Sequence, residues 1–141
     1  MKGKTRFSCK IDVNYSRLRS VRYLEDLAYI FFPNKDAGRK REAFIKIWME
    51  IRDSRDQKAD RLEHLFDEYV TQSILWKVRK EMRSIGLIDY KGYKWQFSTK
   101  FANSLRKLAE TVEDFMEPVT AEQQKRDILL FRHLQSKRSI K

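Results

Sequence analysis

The sequence predicts a mainly α-helical protein carrying one small antiparallel β-hairpin. Three observations predict it. Apolar residues recur at intervals of three and four over most of the 141 residues, the period of a helix with one buried face. One stretch, LIDYKGYKWQF from Leu87 to Phe97, alternates about a Lys-Gly pair instead, as two short strands joined by a tight turn do. Helix start and stop signals also fall at the ends of the periodic segments.

Taken in order, the chain opens on a short strand at 7–13, with Phe7, Cys9, Ile11 and Val13 on one side and Ser8, Lys10 and Asp12 on the other. A first helix starts at Ser16 and carries Leu18, Val21, Leu24, Leu27, Ala28 and Phe31, until Pro33 and the polar NKDAG stop it. A second spans about 39–52, with Phe44, Ile47, Trp48 and Ile51 on one face. Ser54 and Gln57 have capping-box spacing and open a third over 57–69, striped by Leu62, Leu65, Phe66 and Tyr69. The fourth, 71–85, aligns Leu75, Val78, Met82 and Ile85 before Gly86 stops it. The hairpin turns at Lys91-Gly92, and Tyr93, Trp95 and Phe97 share a side of the return strand. Ser98 or Thr99 caps a fifth helix whose Phe101, Leu105, Leu108, Val112 and Phe115 are spaced 4, 3, 4, 3, a heptad seam. Pro118 ends it. Thr120 with Gln123 opens a last helix with Ile128, Leu129, Phe131 and Leu134. No repeat or long linker interrupts this, so the segments 1–38, 39–101 and 102–141 read as parts of one domain-sized chain.

Thirty-one Lys/Arg against twenty Asp/Glu give a net charge of +11. That excess points to a polyanionic partner, or else to a basic surface that is simply solvated. Its distribution is uneven. Residues 71–107 hold nine basic residues against Glu81 and Asp89, net +7, and residues 1–22 hold seven against Asp12, net +6. Residues 53–69 are net −3, with six acidic and three basic residues. At 100° per residue the face of the fourth helix opposite Val78 shows Gln72, Ser73, Trp76, Lys77, Lys80 and Arg83. Such a face suits a major groove. Gln72, Ser73 and Arg79 would meet base edges, and Lys77, Lys80, Arg83, Lys91 and Lys94 phosphates. Trp76 either joins that face or packs on a neighbouring segment.

Several function classes have no support in the sequence. Cys9 is the sole cysteine, which excludes an intrachain disulfide or a zinc knuckle and fits a reducing interior. It reads as a buried thiol or a redox-sensing one. The longest apolar run, LEDLAYIFFP, is interrupted by Glu25 and Asp26 and is far shorter than a membrane span. A cytoplasmic protein that does not enter membranes is expected. There are four glycines and no phosphate-cradling loop. His64 and His133 lack metal-ligand spacing, and Asp60, Asp67 and Glu68 around His64 read as a solvated acidic face. Tyr90 and Tyr93 suit aromatic packing or phosphate contact better than nucleophilic catalysis. No catalytic residue, metal or cofactor is expected.

A helix ending in IGLI, Ile85 to Ile88, and followed at once by a hairpin resembles the winged-helix DNA-binding domain over residues 39–101. The resemblance implies a winged helix-turn-helix with extra N- and C-terminal helices. In it, 57–69 and 71–85 are the helix-turn-helix pair, 71–85 is the recognition helix, and 87–98 is the wing. Lys91, Tyr93, Lys94 and Lys100 lie on or beside the wing. One helix before this unit and two long ones after it resemble the layout of MarR-type regulators, whose terminal helices form the dimer. Asp89, Lys91 and the Ser98-Thr99 pair resemble that family's wing, but Phe101 stands where a glycine is usual, and the N-terminal strand is an addition. PadR-like and archaeal or viral winged-helix regulators fit nearly as well. The implied function is that of a sequence-specific regulator of double-stranded DNA. As a homodimer it would set two recognition helices about 34 Å apart. Leu105, Leu108, Val112, Phe115, Ile128, Leu129, Phe131 and Leu134 are the dimer surface, or alternatively intramolecular core. A nucleic-acid module of a replication, plasmid or RNA-associated assembly, and a protein-interaction winged helix, are the competing readings. Tyr23, Tyr29, Phe31, Phe32 and Trp48 serve an effector pocket or an ordinary core equally well.

Overall fold

The computed structural model of the protein describes Ile11, residues 14–53 and residues 62–139. The strand expected at 7–13 (Ile11 apart), Cys9 and the start of the helix expected from 54 lie outside the described residues. The chain forms two compact units, Met1–Ala102 and Asn103–Lys141.

The first unit holds α1 (Tyr15–Arg19), α2 (Leu24–Phe31), α3 (Gly38–Asp53), α4 (Gln72–Ser84), the strands β1 (Ile88–Lys91) and β2 (Lys94–Phe97), and the start of α5 (Lys100–Met116). The protein is mainly helical with one two-stranded antiparallel sheet. α3 is central, packing on α2, α4 and β2, while α4 also packs on β1. Its Phe44 and Ile47 are fully buried beside Leu75, Val78 and Met82 of α4. Aromatic rings run through this core. Phe31 lies 5.5 Å from Phe44, Phe44 5.5 Å from Trp48, and Trp48 4.7 Å from Phe97. Phe101, at the head of α5, closes the row against Phe31 at 5.2 Å.

Gly86 is where helix, hairpin and α5 meet. It stops α4 with φ +90°, and a Cβ there would lie 2.8 Å from the Lys100 Cβ and 2.9 Å from the Phe101 nitrogen. The carbonyl of Gly86 accepts from the Phe101 N–H, and the carbonyl of Leu87 from the Ser98 N–H. Any side chain at position 86 would wedge these apart.

Two expected helices differ. The first is broken into α1 and α2, and Leu18 is exposed. The Ser20 hydroxyl donates to the Arg17 carbonyl, and the Asp26 carboxylate accepts from the Arg22 and Tyr23 N–H groups. These side chains take over backbone partners and start a new helix. The third expected helix is absent over its described part. Leu62 is left-handed, Glu63–Leu65 make a single 3-10 turn, and 66–70 are irregular. Asp67 is the cause. Its carboxylate accepts from the N–H groups of Tyr69 and Val70, an Asx-type turn that competes with helix. Lys46 of α3 pairs with it and also donates to the Leu65 carbonyl. The helix-turn-helix pair implied by resemblance therefore lacks a regular first member over 62–70.

The second unit holds the rest of α5 and α6 (Ala121–Ser139). The Thr120 hydroxyl accepts from the Gln123 N–H at 3.2 Å and starts α6. None of its described side chains is buried.

Candidate nucleic-acid interface

α4 begins at the Thr71 cap, whose hydroxyl accepts from the Ile74 N–H. Its apolar stripe is held by α3, so the opposite face is turned outward. Gln72, Ser73, Lys77, Lys80 and Arg83 are exposed on it. Trp76 and Arg79 are only half-exposed. The Trp76 ring meets the edge of Phe66 at 6.2 Å, so it packs on a neighbouring segment instead of standing alone among the lysines. The Arg79 guanidinium lies 4.7 Å over Trp95 of β2 and 5.8 Å from Trp76. Arg83 lies 5.7 Å from the same Trp95 ring. These guanidinium–ring contacts tie α4 to the hairpin.

Asp89 adds a second tie. Its carboxylate is 3.6 Å from Arg83 Nε and 3.9 Å from Lys100 Nζ. At such separations and exposures each pair contributes at most about 1 kcal/mol, but together they draw the ends of α4 and α5 to β1. Glu81, buried on α4, faces Lys40 of α3 at 4.0 Å. Sequence reasoning missed the roles of Asp89, Trp95 and Glu81. The available signal was that Glu81 and Asp89 are the two acids in an otherwise basic stretch.

The strands pair Ile88 with Phe97, Asp89 with Gln96, Tyr90 with Trp95 and Lys91 with Lys94. Gly92 and Tyr93 occupy the turn with φ +60° and +64°, a type I′ geometry whose two central residues both need positive φ. The turn thus lies one residue later than the Lys91-Gly92 reading. Tyr93 is not on the strand with Trp95 and Phe97, and stands 86% exposed at the tip. Two local costs coincide there. A tyrosine in the left-handed region is strained by about 1–2 kcal/mol, and like charges directly opposed across a ladder repel. Lys77, Lys80, Lys91 and Lys94 form no ion pair with another described residue.

The acidic side of the unit is structural. Asp67 is held below the usual carboxylate range, first by the Lys46 side chain and then by the backbone N–H groups it accepts. His64 Nε2 lies 2.9 Å from Glu50. Among the described residues no cluster of three His, Cys, Asp or Glu side chains could hold a metal, and no helix is long and apolar enough to cross a membrane. Tyr90 packs on Trp95 at 5.2 Å.

In the second unit, Leu105, Leu108, Val112 and Phe115 fall on one stripe of α5 and are 44–75% exposed. On α6, Ile128, Leu129, Phe131 and Leu134 are 50–64% exposed. Ile128 to Phe131 are consecutive and so surround the helix, where the sequence suggested a stripe. Compared with protein-family models, curated proteins and solved structures, the chain matches none.

Proposed function

We propose that the protein is a cytoplasmic, sequence-specific regulator that binds double-stranded DNA as a homodimer. α4 lies toward the major groove and the hairpin tip rests on the adjoining backbone. The observation that carries this reading is the tip itself. A strained, exposed tyrosine sits between two opposed lysines, an arrangement that packing does not require, and a polyanion would offset the repulsion of the lysines. Lys77, Lys80, Lys91 and Lys94 meet phosphates, and Gln72 and Ser73 reach base edges. Arg79 acts as a support that ties the helix to the hairpin through Trp95, and Trp76 packs on Phe66.

The α5 stripe supports a second copy as the dimer partner. Folding α6 back on its own α5 would bring its basic end (Arg132, Lys137, Arg138) to the basic start of α5 (Lys100, Arg106, Lys107). A second copy's α6 running parallel to α5 instead sets that basic end beside Glu110, Glu113, Asp114 and Glu117, the favourable arrangement.

The test is binding to a duplex library across a salt series, with Lys77→Ala/Lys80→Ala beside the wild type. Loss of two phosphate contacts lowers the slope of log K against log salt by about 2, and the wild type enriches a palindrome. Salt dependence without enrichment would replace the regulator with a non-specific module of an assembly. Absence of duplex binding even at low salt would overturn the DNA reading.

A further inference from the structure

The segment 14–23, from Asn14 to Tyr23, contains three arginines and no acid. α1 within it buries no residue, though its Arg17 lies 5.7 Å from the Tyr29 ring of α2. The helix is held locally. Asn14 accepts from the Ser16 and Arg17 N–H groups at 3.0 and 3.3 Å, and Ser20 closes the end through the Arg17 carbonyl. What this short element presents is aromatic and cationic. Tyr15 is 70% exposed and Tyr23 68%. The Arg19 guanidinium lies 5.3 Å from the Tyr15 ring and donates to its hydroxyl at 3.2 Å. Tyr15, Arg19 and Arg22 share the wall of one open hollow of about 330 Å³ with Ser16 and Ser20.

We propose that this patch is a second nucleic-acid surface, one that takes single-stranded DNA. An exposed ring stacks on any unpaired base, and adjacent guanidiniums hold the phosphates between bases. A duplex keeps its bases stacked on each other and would leave the tyrosine faces unused. An anionic membrane would call for several apolar anchors among the cations, and of the two aliphatic residues here Leu18 is exposed while Val21 packs against the core. DNA is chosen over RNA because the two caps of α1, the Asn14 Oδ1 and the Ser20 hydroxyl, bond to its backbone, which leaves fewer polar groups to select a 2′-hydroxyl. The inference stands apart from the duplex reading of α4 and the hairpin.

The experiment uses the full chain with labelled oligo(dT), oligo(U) and a duplex. It compares wild type, Tyr15→Ala/Tyr23→Ala, Tyr15→Phe/Tyr23→Phe and Lys77→Ala/Lys80→Ala. The alanine pair is expected to weaken oligo(dT) binding by roughly tenfold or more and leave the duplex unaffected, with the phenylalanine pair retaining both. The lysine pair does the reverse. Tyr23→Ala alone is the safeguard against misfolding, since Asp26 caps the backbone N–H of residue 23 whatever its side chain. It is expected to weaken oligo(dT) by severalfold. Unchanged oligo(dT) affinity in the alanine variants, or no oligo(dT) binding by the wild type, overturns the proposal. Much tighter binding of oligo(U) overturns the choice of DNA. A wild type that binds oligo(dT) but no duplex would sink the α4 reading and support this one.

Discussion

α4 and α5 carry the same sequence pattern and meet opposite fates. Each has apolar residues three and four apart with basic residues among them. In α4, Leu75, Val78 and Met82 are at most 1% exposed, whereas in α5, Leu105, Leu108, Val112 and Phe115 are 44–75% exposed. The difference is what the chain brings to each stripe. α3 and β1 lie against α4, while at the head of the α5 seam Phe101 packs on Phe31. A helical period says that a face must be covered. It does not say by what. The α5 stripe is the surface that the proposed second copy would cover.

Substitutions can break that comparison. Leu75→Ala removes a fully buried side chain, and chemical denaturation should show a loss of about 2–5 kcal/mol. Leu108→Ala should leave the denaturation of a dilute monomer within about 0.5 kcal/mol of wild type. A cost at Leu108 comparable to that at Leu75 would mean that the α5 stripe is intramolecular core.

The next effect is on assembly. Leu108→Asp/Val112→Asp places charges on the stripe that a second copy would desolvate. Sedimentation velocity should show the wild type self-associating and this variant monomeric with an unchanged far-UV spectrum. A wild type that stays monomeric at high concentration would remove the homodimer and leave α5 to a different partner.

A smaller effect concerns acid. The carboxyl of Asp67 is held below its ordinary value by Lys46 and two backbone N–H groups. Its contribution is fully present above the unfolded value of about 3.9 and is lost as pH falls through the lower folded value. Asp67→Asn keeps an acceptor for the backbone but loses the charge. Thermal melts should show reduced stability at neutral pH and a shallower decline below about pH 4. The change should appear in the first unit only, because α5 and α6 take no part in that contact.

The elements that were legible in the sequence are those whose signals are local. Thr71, Gly86 and the alternation from Ile88 to Phe97 placed α4 and the hairpin, and Thr120 placed α6. Where the reading failed, a side chain had intervened from outside the period. Asp26 split the first helix, and Asp67 with Lys46, from a different helix, prevented the third over its described part. Candidate-site residues were legible as a charged face, since Lys77, Lys80, Lys91 and Lys94 are exposed. The tertiary partners of Trp76 and Arg79 were not, because Phe66 and Trp95 meet α4 from segments the wheel does not contain.

The smallest effect sharpens the comparison from the other side. Like the α5 stripe, Tyr93 is exposed among the described residues, but it stands amid lysines and in a left-handed backbone. Tyr93→Asn keeps a side chain while easing that conformation, which asparagine tolerates well. Denaturation should show a gain of up to about 1 kcal/mol, and duplex affinity should fall by a few fold. A gain in stability coupled to a loss of binding identifies a residue kept for contact at a local cost. A gain with binding unchanged would reduce Tyr93 to an unfavourable turn residue, and the hairpin's role would then rest on Lys91 and Lys94 alone.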